Sequence, residues 1–213
     1  MALLDVWRDL PSRLSFFTNA TQDFIPESKG IYAWFLPIWI YSEDFESQLG
    51  IIDKIHSYEP KGSGSGNIKF HWTEIEIEAR RKLKNRAIKS KVTRNQWESM
   101  LKDPPSKLAT EELMMVSSIF SQPLYVGKAN NLQSRYHQHV KGQPNKPGQL
   151  QENTFHTRFA AMSEELELGL GVHNLIFACL KTDVKKDEEV DDSIHELLEQ
   201  IVMAFTRPIF SLR

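Results

Sequence analysis

Cysteine is almost absent from this chain of 213 residues, which has a single one, Cys179. One cysteine can form no disulfide within the chain and no cysteine-based zinc site. Since Cys179 lies in the apolar run 175–180, we expect it to be a small buried hydrophobic residue in a reducing compartment.

Long apolar runs are also missing. The longest, 31–41, is interrupted by Pro37 and is far shorter than the ~20 residues that cross a bilayer. At the N-terminus, Asp5 and Arg8 come too early for the apolar region of a signal peptide. We therefore expect a cytoplasmic protein with no membrane partner.

The chain has little net charge, because 26 Lys and Arg nearly balance 28 Asp and Glu to give −2. This balance arises because the charge of a basic segment cancels the charge of an acidic one. Residues 183–199 contain eight acids against two lysines, which favours a solvated loop over a metal site. Residues 79–97 contain eight basic residues and no acid, a pattern typical of either a phosphate-binding segment or a solvated helix face. The candidate phosphate-binding residues in this segment are Arg80, Arg81, Lys82 and Lys84.

Several elements are predicted from periodicity and from turn residues. Residues rich in β-branched and aromatic side chains predict strands at 30–36, 124–127 and 172–180. Helical spacing of apolar residues predicts helices at 3–16, 42–56, 74–90, 110–120 and 132–140, and a last helix from Ser193 onward. The helix at 74–90 is predicted to extend through 97–101. A glycine-rich loop is predicted at 62–66, and Asp103 with the two prolines after it is predicted to end a helix.

The last helix carries two further signals. Ser193 and Glu196 fit a capping box, in which a serine hydroxyl and a glutamate satisfy each other's backbone donors. Apolar residues from Ile194 to Phe205 recur at helical spacing and predict one continuous buried face, and Pro208 is predicted to end the helix.

Three separated motifs stand in an informative order. The first is GIYAWF, with Tyr32, and the second is LYVGKANNLQSRYHQH, with Tyr125, Gly127, Lys128, Asn131, Leu132 and Arg135 in register. The third is Glu199, nine residues before Pro208 in a Pro-x-aromatic step. Together they resemble the GIY-YIG nuclease superfamily. One position departs from it, since Ser211 stands where the family commonly has an asparagine that braces the site.

The resemblance implies an α/β (α+β) fold, with a small three-stranded antiparallel sheet flanked by helices. Its strands would lie near 30–37, 123–128 and 172–180. Residues 1–213 would then form a single nuclease-like domain, with 42–121 as a mainly helical, basic insertion between the first two strands.

The resemblance also implies a chemistry of phosphodiester hydrolysis. Arg135 would clamp the phosphate, because a guanidinium pairs bidentately with phosphate oxygens and stays charged. Glu199 would hold Mg²⁺ (or Mn²⁺) through a carboxylate, with Glu196 as the competing choice. Either Tyr32 or Tyr125 would relay the proton of the attacking water.

Three more residues belong to this predicted site. His139 follows Arg135 by one helical turn and either reaches the site or lies on the helix surface. Lys128 either contacts phosphate or is an ordinary exposed lysine. Gly127 is expected where the chain turns tightly beside the scissile phosphate.

We therefore expect a metal-dependent endonuclease that acts on DNA. We expect no DNA-binding module after the Glu199 helix and no zinc domain, which favours a stand-alone restriction or defence-type enzyme, with a homodimer as one way to cut both strands. Two alternatives remain: a catalytically weak nucleic-acid-binding member of the same fold, and a nuclease directed at RNA.

Overall fold

In a computed structural model of the chain, residues 13–58, 66–69, 74–77, 90–142, 154–182 and 192–210 are described. The strands are β1 (Leu14–Phe17), β2 (Gly30–Phe35), β3 (Gly66–Lys69), β4 (Glu74–Ile77), β5 (Tyr125–Ala129) and β6 (Ile176–Lys181). The helices are α1 (Phe45–His56), α2 (Lys91–Lys102), α3 (Pro104–Ser117), α4 (Leu132–Lys141), α5 (Phe155–Glu165) and α6 (Asp192–Thr206). None of these helices, within the described ranges, has the length and apolar character needed to cross a bilayer.

The main sheet has four antiparallel strands in the order β1-β6-β2-β5. The predicted α+β class is confirmed, and β2, β5 and β6 correspond to the three predicted strands. The prediction of three strands was wrong by one, because β1 pairs with the outer edge of β6, where Leu14 lies opposite Leu180. The end of the helix predicted at 3–16 is therefore a strand, and residues 1–12 lie outside the described ranges.

The core is built around Trp34 of β2, which is fully buried. Its ring stacks on Tyr136 of α4 and on Phe155 of α5, and meets Phe177 of β6 edge-on. Such ring pairs add about 0.5–1.5 kcal/mol each beyond the burial of their area. The packing around Trp34 thus holds α4 and α5 against the sheet at the strand that carries Tyr32.

The insertion between β2 and β5 contains a hairpin as well as helices. Strands β3 and β4 pair so that Gly66 lies opposite Ile77. The helix predicted from residue 74 and the loop predicted to include Gly66 were therefore wrong there, because the sequence EIEI at 74–77 alternates with the period of a strand.

Helix α3 begins at Pro104, six residues before the predicted start at Thr110. The carboxylate of Asp103 accepts a hydrogen bond from the backbone N–H of Ser106, and Pro104 occupies the first helical position, where its missing N–H costs nothing. The Asp-Pro-Pro sequence thus ends α2 as predicted and also starts the next helix. Helix α1 confirms the helix predicted at 42–56, with its start at Phe45.

Helix α6 packs in a different orientation from the predicted one. The predicted buried stripe is largely in solvent, with Leu197 57%, Ile201 41% and Phe205 86% exposed. Two members of the stripe, Leu198 and Val202, are partly buried, as is Glu199 between them. At about 100° per residue these three residues share one side of the helix. The helix contacts β5 and β2, and the backbone N–H of Lys128 on β5 donates to Glu199, so Glu199 faces the sheet together with one edge of the apolar stripe.

Candidate active site

Two tyrosines from neighbouring strands lie side by side. Tyr32 of β2 is paired with Gly127 of β5, and Trp34 is paired with Tyr125. Since alternate residues of a strand share a face, Tyr32 and Trp34 point to the same side of the sheet. The ring centroids of Tyr32 and Tyr125 are 6.0 Å apart. Strand pairing alone therefore brings together the two tyrosines of the sequence motifs.

Gly127 is required by the close approach of these rings. A Cβ at this position would lie 2.6 Å from Oη of Tyr32 and 2.8 Å from Cε1 of Tyr125. The prediction placed Gly127 in a tight turn, which was wrong: the residue is inside β5, and its missing side chain makes room for the tyrosine hydroxyl.

His139 of α4 lies against the tyrosines and not on the outer surface of its helix. Its Nε2 is 2.9 Å from Oη of Tyr32, and its ring centroid is 5.6 Å from that of Tyr125. Burial lowers the pKa of His139 to about 3, and the nearby charges of Arg135 and Arg158 act in the same direction. The imidazole is therefore neutral at physiological pH and has one ring nitrogen able to accept a proton.

Tyr32 keeps its proton in the free protein. Burial raises the pKa of Tyr32 well above its usual value, the phenol of Tyr125 and the carboxylate of Glu199 raise it further, and the charge of Arg135 opposes them. Because the phenol is protonated and the imidazole is neutral, the hydroxyl of Tyr32 can donate its hydrogen bond to Nε2 of His139.

Arg135 lies one turn before His139 on α4. Its Nη1 donates a hydrogen bond to Oε1 of Gln138 at 3.1 Å, and its side chain is partly exposed. Its charge acts on Tyr32, His139 and Glu199 alike. The guanidinium is therefore close to all three groups and has further N–H donors for a substrate.

Glu199 reaches this cluster from α6. Burial raises the pKa of Glu199, while the charge of Lys128 and a hydrogen bond from the backbone N–H of Lys128 lower it. Nζ of Lys128 donates to Oε1 of Glu196 at 2.7 Å. Helix α6 already includes Asp192, so Ser193 is inside the helix and the predicted capping-box start was wrong.

A metal ion would depend on Glu199 among the described residues. In those ranges no group of three or more His, Cys, Asp or Glu side chains is arranged to hold one. A single carboxylate with waters and substrate phosphate is nevertheless a usual way to bind Mg²⁺. Four of the predicted phosphate-binding residues lie outside the described ranges: Arg80, Arg81, Lys82 and Lys84. Ser211 also lies outside them.

Sequence reasoning missed one cation of the site, Arg158 of α5. Its Nη1 donates to the carbonyl oxygen of Phe210 at 2.9 Å, and its guanidinium lies 5.7 Å from the centre of that ring. The only signal in the sequence is a basic residue between Phe155 and Phe159, two residues that the helix buries in the core.

Comparisons of the chain with protein-family models, with curated proteins and with solved structures found no match. The geometry of the site is therefore the basis for a functional proposal.

Proposed function

We propose that this protein is a metal-dependent endonuclease that hydrolyses phosphodiester bonds in DNA, and that it is a member of the GIY-YIG superfamily. The observation that carries the proposal is the contact between Tyr32 and His139, at 2.9 Å, with Arg135 and Glu199 both acting electrostatically on the same phenol. Residues from all three sequence motifs thus act on one phenol, which supports a hydrolytic site.

The proton path begins at the attacking water. Oη of Tyr32 accepts a proton from this water while its own phenol proton passes to Nε2 of His139, so that hydroxide attacks phosphorus and the P–O bond to the leaving oxygen breaks. His139 is a weak base in the free protein because burial and two arginines lower its pKa. A bound phosphate diester offsets those positive charges, which raises the pKa of His139 and strengthens the base when substrate is present.

Two charged groups complete the reaction. Arg135 pairs with the non-bridging phosphate oxygens and stabilises the negative charge that increases in the transition state. Glu199 fits a Mg²⁺ (or Mn²⁺) site because it is a hard oxygen ligand next to the phenol pair and is only partly buried. Such an ion, when bound, supplies Lewis-acid stabilisation of the leaving oxygen.

The choice of DNA rests on the sequence. The basic segment 79–97 belongs to the insertion that follows β2, and its charge suits a polyanionic duplex. We propose a stand-alone restriction or defence-type enzyme, in which a homodimer would cut both strands.

The test is cleavage of supercoiled plasmid DNA with added Mg²⁺. Glu199→Gln and Arg135→Gln should each lower the cleavage rate by about 10²-fold or more, since each removes a charge that acts in the transition state. The matched control is Lys107→Gln, which breaks an exposed ion pair with Glu43 outside the basic segment and should leave the rate unchanged.

Retained cleavage in both site variants would contradict the assignment. A wild-type protein that binds DNA with a steep salt dependence but does not cut it would favour the binding member of the fold. Cleavage of RNA with no cleavage of DNA would favour the RNA-directed nuclease.

A further inference from the structure

Arg158 occupies the same cluster as the proposed catalytic residues. It lies one turn after Phe155 on α5, and the ring of Phe155 has its centroid 5.3 Å from the rings of both Tyr125 and His139. Phe155 also meets Phe210 edge-on, and Arg158 contacts the same Phe210 through its Nη1 and its guanidinium plane. The charge of Arg158 also interacts with His139 and with Tyr125, so the guanidinium lies near the proposed catalytic residues.

The charge of Arg158 has no opposite partner among the described residues. The ion pairs there join Arg94, Lys107 and Lys128 to glutamates, and none includes Arg158. Its Nε is buried and, within those residues, has no hydrogen-bond acceptor. Burial lowers the pKa of Arg158, the direction expected when a cation loses water without gaining an anion.

We propose that Arg158 is a second phosphate-binding arginine of this site, which together with Arg135 holds the non-bridging oxygens of the scissile phosphate. This inference rests on the proposed nuclease function for the identity of the anion. A bound phosphate supplies the negative charge that a partly desolvated guanidinium lacks. The hydrogen bond to the Phe210 carbonyl and the contact with its ring orient the guanidinium before substrate binds, which reduces the entropy lost on binding.

A binding measurement tests this without relying on cleavage. The full-length protein, without added divalent metal, is titrated with inorganic phosphate while the ring signal of His139 is followed by NMR, because this ring lies close to both arginines. The wild type should give a saturable shift. Arg158→Gln should weaken phosphate binding by about tenfold or more, since a charge-assisted hydrogen bond is lost.

Two further variants separate charge from structure. Arg158→Lys keeps the charge but loses the planar fork, and should bind phosphate with an affinity between those of wild type and Arg158→Gln. Lys107→Gln is the matched control, because it also removes one positive charge, but from a lysine of α3 that forms an exposed ion pair with Glu43, outside the basic segment 79–97. It should bind phosphate as the wild type does.

Several outcomes would overturn the inference. The first is that Arg158→Gln binds phosphate as tightly as the wild type, and the second is that the wild type gives no saturable shift. The third is that Arg158→Lys and Arg158→Gln lose phosphate affinity equally and have equally lowered melting temperatures, which would mean that Arg158 has a structural role only. The plasmid assay separates this result from the nuclease proposal. If the wild type cleaves DNA but Arg158→Gln binds phosphate normally, only the role proposed for Arg158 is refuted. If phosphate binding depends on Arg158 but the wild type cuts no nucleic acid, only the nuclease proposal is refuted.

Discussion

The hydroxyl of Tyr32 is 2.9 Å from Nε2 of His139, although 107 residues separate them in the chain. Tyr32 is positioned by the pairing of β2 with β5, and His139 by the helix that follows β5. The contact therefore links the strand pairing of the two motifs to the packing of α4. A change in either arrangement would separate the two atoms.

Tyr32→Phe removes only the hydroxyl of this pair. We expect the rate of DNA cleavage to fall by about 10²-fold or more, because the proton path from water to His139 is interrupted. Plasmid cleavage under single-turnover conditions measures the effect. The control is Tyr136→Phe, since the buried hydroxyl of Tyr136 has no partner among the described residues and its removal should leave both rate and stability nearly unchanged. Equal rates for the two variants would rule out the relay.

Gly127→Ala adds a methyl group where the structure has no room. A Cβ would lie 2.6 Å from Oη of Tyr32, so the phenol must move from its position beside His139. We expect the free energy of unfolding to fall by about 1–3 kcal/mol and cleavage to be strongly reduced. Urea denaturation and the plasmid assay measure the two effects.

The matched substitution is Gly50→Ala in α1, where the added Cβ meets nothing within 4 Å beyond its neighbours and the backbone of its own helix. It should raise the free energy of unfolding by about 0.5–1 kcal/mol, because alanine is the better helix former. If Gly127→Ala were as stable as the wild type, the close approach at Gly127 would be disproved.

His139 should make folding stability depend on pH. Burial lowers the pKa of His139 from 6.5 to about 3 in the folded protein, so between these values the unfolded chain binds more protons. This contribution to stability is complete above pH 6.5 and is lost as the pH falls towards 3, by at most about 1.4 kcal/mol per pH unit. Urea denaturation from pH 7 to pH 4 measures it.

In that experiment His139→Gln should show a smaller loss of stability on acidification than the wild type. The exposed residue His173 provides the control, since His173→Gln should follow the wild-type curve. A His139→Gln curve parallel to the wild type would mean that this histidine is not buried as described.

Glu196→Gln should shift the acid side of the activity profile. Burial raises the pKa of Glu199, and the negative charge of Glu196 raises it further. Without that charge Glu199 loses its proton at lower pH, so activity should persist to lower pH than in the wild type. Rates measured with Mg²⁺ from pH 5 to pH 8 check this. The control is Glu43→Gln, which breaks a separate ion pair with Lys107 and should leave the pH profile unchanged. A shift of the Glu196→Gln profile towards higher pH would refute the electrostatic effect of Glu196 on Glu199.

Local sequence carried a good part of the fold. The aromatic and β-branched residues of β2 and β5 predict strands, and the Asn131 cap predicts α4, because these signals act within a few residues. The second motif placed Arg135 and His139 on one helix, one turn apart. It could not decide whether His139 faces the tyrosines, since helix rotation is set by the packing of Trp34 and Tyr136.

Other features depended on contacts between distant segments. Strand β1 exists because β6 has an edge to be paired, which no local pattern in 14–17 reveals. The rotation of α6 follows from its contact with β5, where Glu199 meets the backbone of Lys128, and this leaves Leu197 and Phe205 in solvent despite their helical spacing.

The sequence by itself determined which residues could do chemistry: two motif tyrosines, one arginine and histidine on a shared helix, and a late glutamate. Only the tertiary structure decided that the hydroxyl of Tyr32 meets His139, that Gly127 makes room for that hydroxyl, and that Arg158 joins the cluster. The physical reason is that residue type and short-range periodicity are local properties, whereas close approach, burial and the electrostatic effect of one side chain on another arise when strands pair and helices pack across the sheet.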